Sequence, residues 1–266
     1  MIKLGVNSVL FGGFDFATAV KHIAECGYDG VEISAIDGMC EHLVLANWRS
    51  QASELKSIVT DAGIEFLSME EARLDEERLM LAFEAAAEIG IPVVNVGPGG
   101  KSDVEADIEA SIDLLARMAE RAAPFGVTLC VKAHVNSAIY NTPTTLRAME
   151  AIASPAFGID MDPSHIYRAN EDPERALPAV IDRVRHVHIR DCKGRQSGPG
   201  TARDQACGRG DINLWGYCKA LVDGNYHGPV ALEVIGASEL PLADVCIIAA
   251  ESYGYLNATL TALGAR

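Results

Sequence analysis

A single-domain (β/α)8 barrel is the fold the sequence predicts, and three observations predict it. The length of 266 residues suits one such barrel, for which roughly 250 residues is typical. Short apolar runs alternate with longer amphipathic ones along the whole chain, the pattern of strands joined by helical crossovers. A recurring phrase with a glycine leads from the end of a helical stretch into the next apolar run. A doubly wound open sheet shares these features, but repeated βα units without a Gly-rich phosphate fingerprint favour closure. The whole chain, 1–266, is expected to be one domain.

The candidate strands are 3–7, 30–34, 64–69, 92–96, 127–132, 157–161, 184–190 and 229–235. Helices are predicted near 14–26, 47–62, 75–89, 103–123, 143–153, 173–182, 212–223 and 241–262. Their apolar residues recur at three- and four-residue spacing, as in Ile108, Ile112, Leu115 and Met118, which gives each helix one face for the sheet. The punctuating phrases are CGYDG (26–30), DAGIEF (61–66), EIGIPV (88–93), PFGVTL (124–129) and DGNYHGPV (223–230). In each, the first glycine is expected to cap the helix in the left-handed conformation.

Composition narrows the function. Apolar residues make up 49% and charged ones 22%, ordinary for a globular chain with a large core. The formal charge of -15 counts against nucleic acid, because phosphate binding needs a basic face that releases counterions. Seven cysteines stand singly with no CxxC pair, as expected of reduced thiols in the cytoplasm. The opening MIKLGVNSVL lacks the apolar run of a signal peptide, and no stretch of 18 apolar residues suggests a membrane span. A soluble cytoplasmic protein without a membrane or nucleic-acid partner is expected.

Barrel chemistry sits at the carboxyl ends of the strands. The first half of the chain places Asn7, Glu32, Glu70 and Asn95 there, scattered polar groups suited to substrate hydroxyls. The second half is denser. In DMDPSHIYRA, Asp162 stands three residues before His165; the pair could share a metal or a substrate hydroxyl, or Asp-Pro-Ser could simply cap the following segment. In RHVHIRDCKG, alternation turns His186, His188 and Arg190 to one face. Three polar groups facing a barrel interior must each be paired. His186 reads as a core histidine and His188 as the better ligand, while Asp191 could hold a neighbour or start the loop. Glu233 is alone in the apolar run PVALEVI and is expected at the barrel mouth. The fifth strand ends in Lys132, Ala133 and His134; a lysine there can bind an anion, act as a base, form a Schiff base or snorkel outward.

Together these stretches, with LGVNS, GYDGVEIS, TPTTLRAM and GRGDINLWGYCKAL, resemble the xylose isomerase-like barrel superfamily of sugar isomerases and epimerases. The resemblance implies one divalent metal (Mn, Mg, Co or Zn) held by Glu, Asp, His and Glu from strands five to eight. Asp162, His188 and Glu233 match the last three ligands. The first departs: where L-E-x-H is common, this chain has Val131, Lys132, Ala133 and His134. Lys132 then either swings away from a retained metal, replaces it, or serves as the base.

The function implied is isomerisation or epimerisation of a small sugar, keto-sugar or sugar acid by proton transfer next to a carbonyl. Glu233 with Lys132 or His134 would move the proton, and Arg190, Lys193 and Arg195 would meet an anionic tail. Two alternatives stay open. One is a lyase or dehydratase of a cyclic polyol or keto-sugar, with His134 or His165 as acid. The other is a non-catalytic sugar-binding barrel. A repair nuclease of the same fold is disfavoured by the acidity. Homodimers and homotetramers are common in such barrels. Loops 34–46, 97–102, 134–142 and 191–210 are expected to shape the pocket.

Overall fold

The computed structural model describes residues 1–195 and 198–266. Its strands are β1 (Lys3–Asn7), β2 (Gly30–Ile36), β3 (Cys40–Glu41), β4 (Glu65–Ala72), β5 (Val93–Val96), β6 (Thr128–Lys132), β7 (Phe157–Asp160), β8 (Val184–Ile189) and β9 (Pro229–Leu232). The helices are α1 (Phe16–Glu25), α2 (Trp48–Asp61), α3 (Glu76–Ile89), α4 (Glu105–Ala122), α5 (Thr142–Ala151), α6 (Pro163–Arg168), α7 (Pro173–Val180), α8 (Leu214–Asp223) and α9 (Leu242–Ala262). All the strands but β3 run parallel, and β1 pairs with both β2 and β9. That double pairing closes the sheet, so the structure is a (β/α)8 barrel. The helices pack their buried faces, such as Ile108, Ile112, Leu115 and Met118 of α4, against its outside.

Several boundaries differ from the sequence expectation, each for a local reason. The fourth strand runs on to Ala72, past the expected 69, which carries Glu70 within the ladder. The last strand ends at Leu232, yet the Glu233 amide still donates to Ile189 O at 3.1 Å, keeping Glu233 beside β8. Two elements were not expected: the short β3, antiparallel to β2, and α6, which Asp162 caps by accepting from the Ser164 amide at 2.7 Å. The glycine rule holds at Gly27, Gly63, Gly90 and Gly126, all with positive φ. It fails in DGNYHG, where Gly224 has φ −80 and Asn225 takes the left-handed turn at φ 54. Gly224 serves packing instead, since a Cβ there would lie 2.6 Å from Ile181 Cγ1.

Register slips aim the interior side chains. Opposite Val31 and Glu32, β4 inserts an extra residue between Phe66 and Ser68, and β8 does the same between Val184 and His186 opposite β7. Such bulges re-aim the side chains beyond them. The inserted Leu67 packs over Gly5 and Gly30, where a Cβ would come within 2.5 and 2.6 Å of its side chain. Ser68 and Glu70 then face inward, while Glu71 turns out to pair with Arg78.

Candidate active site

The interior of the barrel is polar and layered. In the lower layer His186 accepts or donates on both ring nitrogens, to Asp160 Oδ1 at 2.9 Å and Ser68 Oγ at 2.8 Å, a satisfied core histidine. Above it His188 lies between two carboxylates, Nε2 against Glu32 and Nδ1 against Asp160. Burial opposes charge on this imidazole, but Asp160 and Glu32 outweigh it and hold its pKa well above the ordinary value. Burial likewise opposes ionisation of Glu32 and Asp160, and His188 with His186 pulls both carboxyls below their usual range. Asn95 completes the layer by donating to Glu32 Oε1 at 2.6 Å.

The upper layer is the floor of a cavity of about 530 Å³. Lys132, only 5% exposed, donates to Glu70 Oε1 at 2.7 Å and to Glu233 Oε1 at 2.8 Å. Asn7 donates to the other oxygen of Glu70 at 2.6 Å. Arg190 approaches Asp162 Oδ2 at 3.2 Å and Glu233 Oε2 at 3.4 Å, and its Nε donates to Ser164 Oγ at 2.8 Å. Burial works against the Lys132 ammonium, yet Glu233 and Glu70 hold its pKa above the ordinary value. While these pairings hold, the ammonium has no lone pair for addition to a carbonyl. Glu233 stays ionised: burial is outweighed by Lys132 and Arg190. Glu70 differs, because burial and then the neighbouring Glu233 push its carboxyl up to about 7 against the pull of Lys132.

The two mouth histidines are neutral. Burial, then Lys132, lowers His134 to about 4; its Nδ1 donates to Val135 O at 2.9 Å, so Nε2 keeps the lone pair. His165 receives the Val135 amide at 3.2 Å and Arg168 at 2.9 Å on Nδ1, with Arg190 2.9 Å from Nε2. Burial, His134 and Arg190 keep it well below its ordinary pKa. A general-acid role for either would rest on the single N–H of a neutral ring, and that of His134 is directed to Val135 O. Both remain suited to orienting groups.

Of the expected site residues, Glu70, Lys132, His134, His165, Arg190 and Glu233 line the cavity together. Asn7, Glu32, Asn95, Asp162 and His188 lie buried beneath or beside it and support the floor rather than form it. Lys193 pairs with Asp204, and Arg195 with Asp172 and the Tyr167 ring, so neither reaches the cavity as an anion contact. Each of the four expected loops contributes lining, through Ile36 and Met39, Gly97 to Gly99, His134 to Ser137, and Pro199; Gln196 and Ser197 of the last loop lie outside the described residues. Two participants escaped the sequence reading. Asp160 is two residues before Asp162 in GIDMD, so strand alternation could have found it. Arg168, which lines the cavity, is three residues past His165 on a helix visible only in the structure.

The chain matches the xylose isomerase-like TIM barrel family over residues 20–252. It belongs to that family. Among its relatives, a putative L-ribulose-5-phosphate 3-epimerase of Escherichia coli is 26% identical over 230 residues, covering 79% of this chain and 80% of the relative. A 3-dehydroshikimate dehydratase of Pseudomonas aeruginosa is 25% identical over 236 residues, 81% of this chain but only 35% of that longer protein. Among solved family folds, the IolI protein with a bound zinc atom superposes with a TM-score of 0.81 at 17% identity, over 97% of this chain and 99% of that one.

Among the described residues, ligand atoms at metal spacing, within 4.8 Å of one another, come from Glu32, His186 and His188 and from Glu70, His188 and Glu233. Asp162, expected as a ligand, is in neither group; its carboxylate caps α6 and faces Arg190. The second group has donors of the right chemistry, but Glu70 and Glu233 each already hold the Lys132 ammonium by one oxygen. A divalent ion at about 4 Å from that ammonium would be repelled by roughly 8 kcal/mol at an effective dielectric near 20. His188 faces a carboxylate on each nitrogen, so a metal would have to displace Glu32 or Asp160 to reach it. With Lys132 charged and in place, the residues do not fit a divalent metal. Three buried atoms around Arg190 lack hydrogen bonds, namely its own Nη1, Asp162 Oδ2 and Glu233 Oε2, which is where a substrate's hydroxyl or carbonyl would find partners.

Proposed function

We propose that this chain is a sugar isomerase or epimerase that moves a proton at the carbon next to a carbonyl. The observation that carries the reading is the cavity floor, where two carboxylates, Glu70 and Glu233, share one buried ammonium. Removing such a proton puts negative charge on the carbonyl oxygen. Fixed cations at that point stabilise it most where water is excluded, and Lys132 and Arg190 supply them. Proton transfer is most efficient when the group's pKa lies near the working pH; Glu70, at about 7, is that group. Glu233 holds Lys132 and Arg190 in position, and it takes the second proton position when a substrate draws those cations onto its own oxygens.

The lining supports an anionic substrate. Arg73 pairs with Asp37, and Lys132 and Arg190 with Glu70, Glu233 and Asp162; Arg168 lines the cavity with no carboxylate at ion-pair distance among the described residues. A small sugar acid or sugar phosphate fits this balance, and the similarity to a putative ribulose-phosphate epimerase agrees with it. The lysine at 132, where the family pattern has a glutamate, favours one second reading. A single effective base suits a one-sided elimination, in which the α-proton is removed, a β-hydroxyl leaves and one water is released. The similarity to a dehydroshikimate dehydratase supports it.

The test is solvent deuterium incorporation into a panel of ketoses, ketose phosphates and keto acids, with product analysis by NMR. Label at the α-carbon of a product of unchanged composition is the expected result, and an unsaturated product selects the lyase. Arg168→Met is expected to raise KM for anionic substrates roughly tenfold, the value of one charge-assisted contact, with kcat little changed. No exchange into any member of the panel would rule out both readings.

A further inference from the structure

The residues that the family resemblance makes metal ligands each face an oppositely charged protein group, although Asp162 Oδ2, His188 Nδ1 and Glu233 Oε2 make no hydrogen bond. Lys132 stands at the end of β6, and its ammonium takes one oxygen from Glu70 and one from Glu233. The Arg190 guanidinium sits between Asp162 and Glu233. His188 has Glu32 at one nitrogen and Asp160 at the other. Every one of these groups is buried, so the pairings are not exchanged for water.

Around the floor, Glu70, Glu233 and Asp162 face Lys132 and Arg190, so two protein cations already stand among the three carboxylates. A divalent ion would have to enter beside them and bear their repulsion. Its place among the carboxylates is held by a tethered monovalent cation, supplied by the residue at the one position that departs from the family pattern.

We propose that Lys132 is the resident cation of this site and takes the place of the divalent metal, so that the barrel works as a metal-independent member of its family. The proposal rests on the site described under the proposed function but not on the reaction assigned to it. A lysine ammonium can polarise a carbonyl oxygen by hydrogen bonding and charge, though it cannot clamp two substrate oxygens as a metal does. The neighbouring Arg190, with an orphaned Nη1, is placed to hold the second oxygen.

The experiment is metal uptake by the purified full-length chain, read without substrate. Protein is incubated with Mn2+, Co2+ or Zn2+, desalted and analysed by inductively coupled plasma mass spectrometry, with Mn2+ titrations followed by electron paramagnetic resonance. The parent is expected to retain only sub-stoichiometric metal and to leave the Mn2+ signal that of the free ion. Lys132→Glu, checked for folding by circular dichroism, is expected to take up one equivalent; Lys132→Gln serves the same purpose if the glutamate variant does not fold. Stoichiometric metal at the floor of the parent overturns the proposal. A folded Lys132 variant that still takes no metal overturns the assignment of the exclusion to Lys132. Failure of the deuterium assay leaves these readouts untouched, so the two conclusions fall separately.

Discussion

Replacing His188 by glutamine tests the charge arrangement most directly. The side chain lies between Glu32 and Asp160, all three fully buried. Glutamine keeps a hydrogen-bond donor of similar reach but removes the positive charge, leaving two buried carboxylates with no cation between them. Breaking a buried ion pair from one side costs about 3–5 kcal/mol. At roughly 2–4 °C per kcal/mol for a domain of this size, the melting temperature should fall by about 10 °C. The shifts fix the sign of the pH dependence. In the parent, Glu32 and Asp160 have lowered pKa values, so their contribution is present above their unfolded values and is lost as pH falls. In His188→Gln one carboxylate must instead take up a proton on folding, and acid then stabilises the variant. The gap between parent and variant, measured by urea unfolding at pH 7 and pH 5, should therefore narrow at the lower pH. A loss under about 1 kcal/mol with no pH dependence would refute the reading of His188 as a buried cation.

Further outcomes are expected at Glu70 and at the glycines of the barrel bottom. With Glu70 as the proton-carrying group at about 7, kcat/KM should rise as pH rises through that value; Glu70→Gln should abolish the limb and lower the rate by about 10²–10⁴-fold. The same raised pKa makes the Glu70 contribution to stability fall as pH climbs from the ordinary carboxyl value of 4.5 toward about 7, which pH-dependent denaturation of the two proteins would register. At the bottom of the barrel, Gly30→Ala should cost roughly 1–3 kcal/mol by overpacking, because its Cβ would meet the Glu65 carbonyl oxygen at 2.5 Å. Gly5→Ala meets chiefly the movable Leu67 Cδ1, so Leu67→Ala should rescue it and leave Gly30→Ala unrescued in thermal melts.

The sequence by itself determined the barrel and the list of strand ends. Strand periods decide which side chains face inward, so His188 and Arg190 could be turned into the barrel and Glu233 placed at its mouth without a structure. The departure at Lys132 was also visible there. Only the tertiary structure decided who pairs with whom. Lys132 bonds Glu70, 62 residues earlier, and His188 bonds Glu32, 156 residues earlier; partners across a closed barrel depend on its stagger. That stagger is altered by one-residue slips at Leu67 and Arg185, which no period in the sequence announces. Asp162 shows the same limit, since only the structure reveals that its Oδ1 caps α6 at the Ser164 amide while its Oδ2 faces Arg190. Partner choice is a property of the closed barrel, and it is what sets the charge on each residue at the floor.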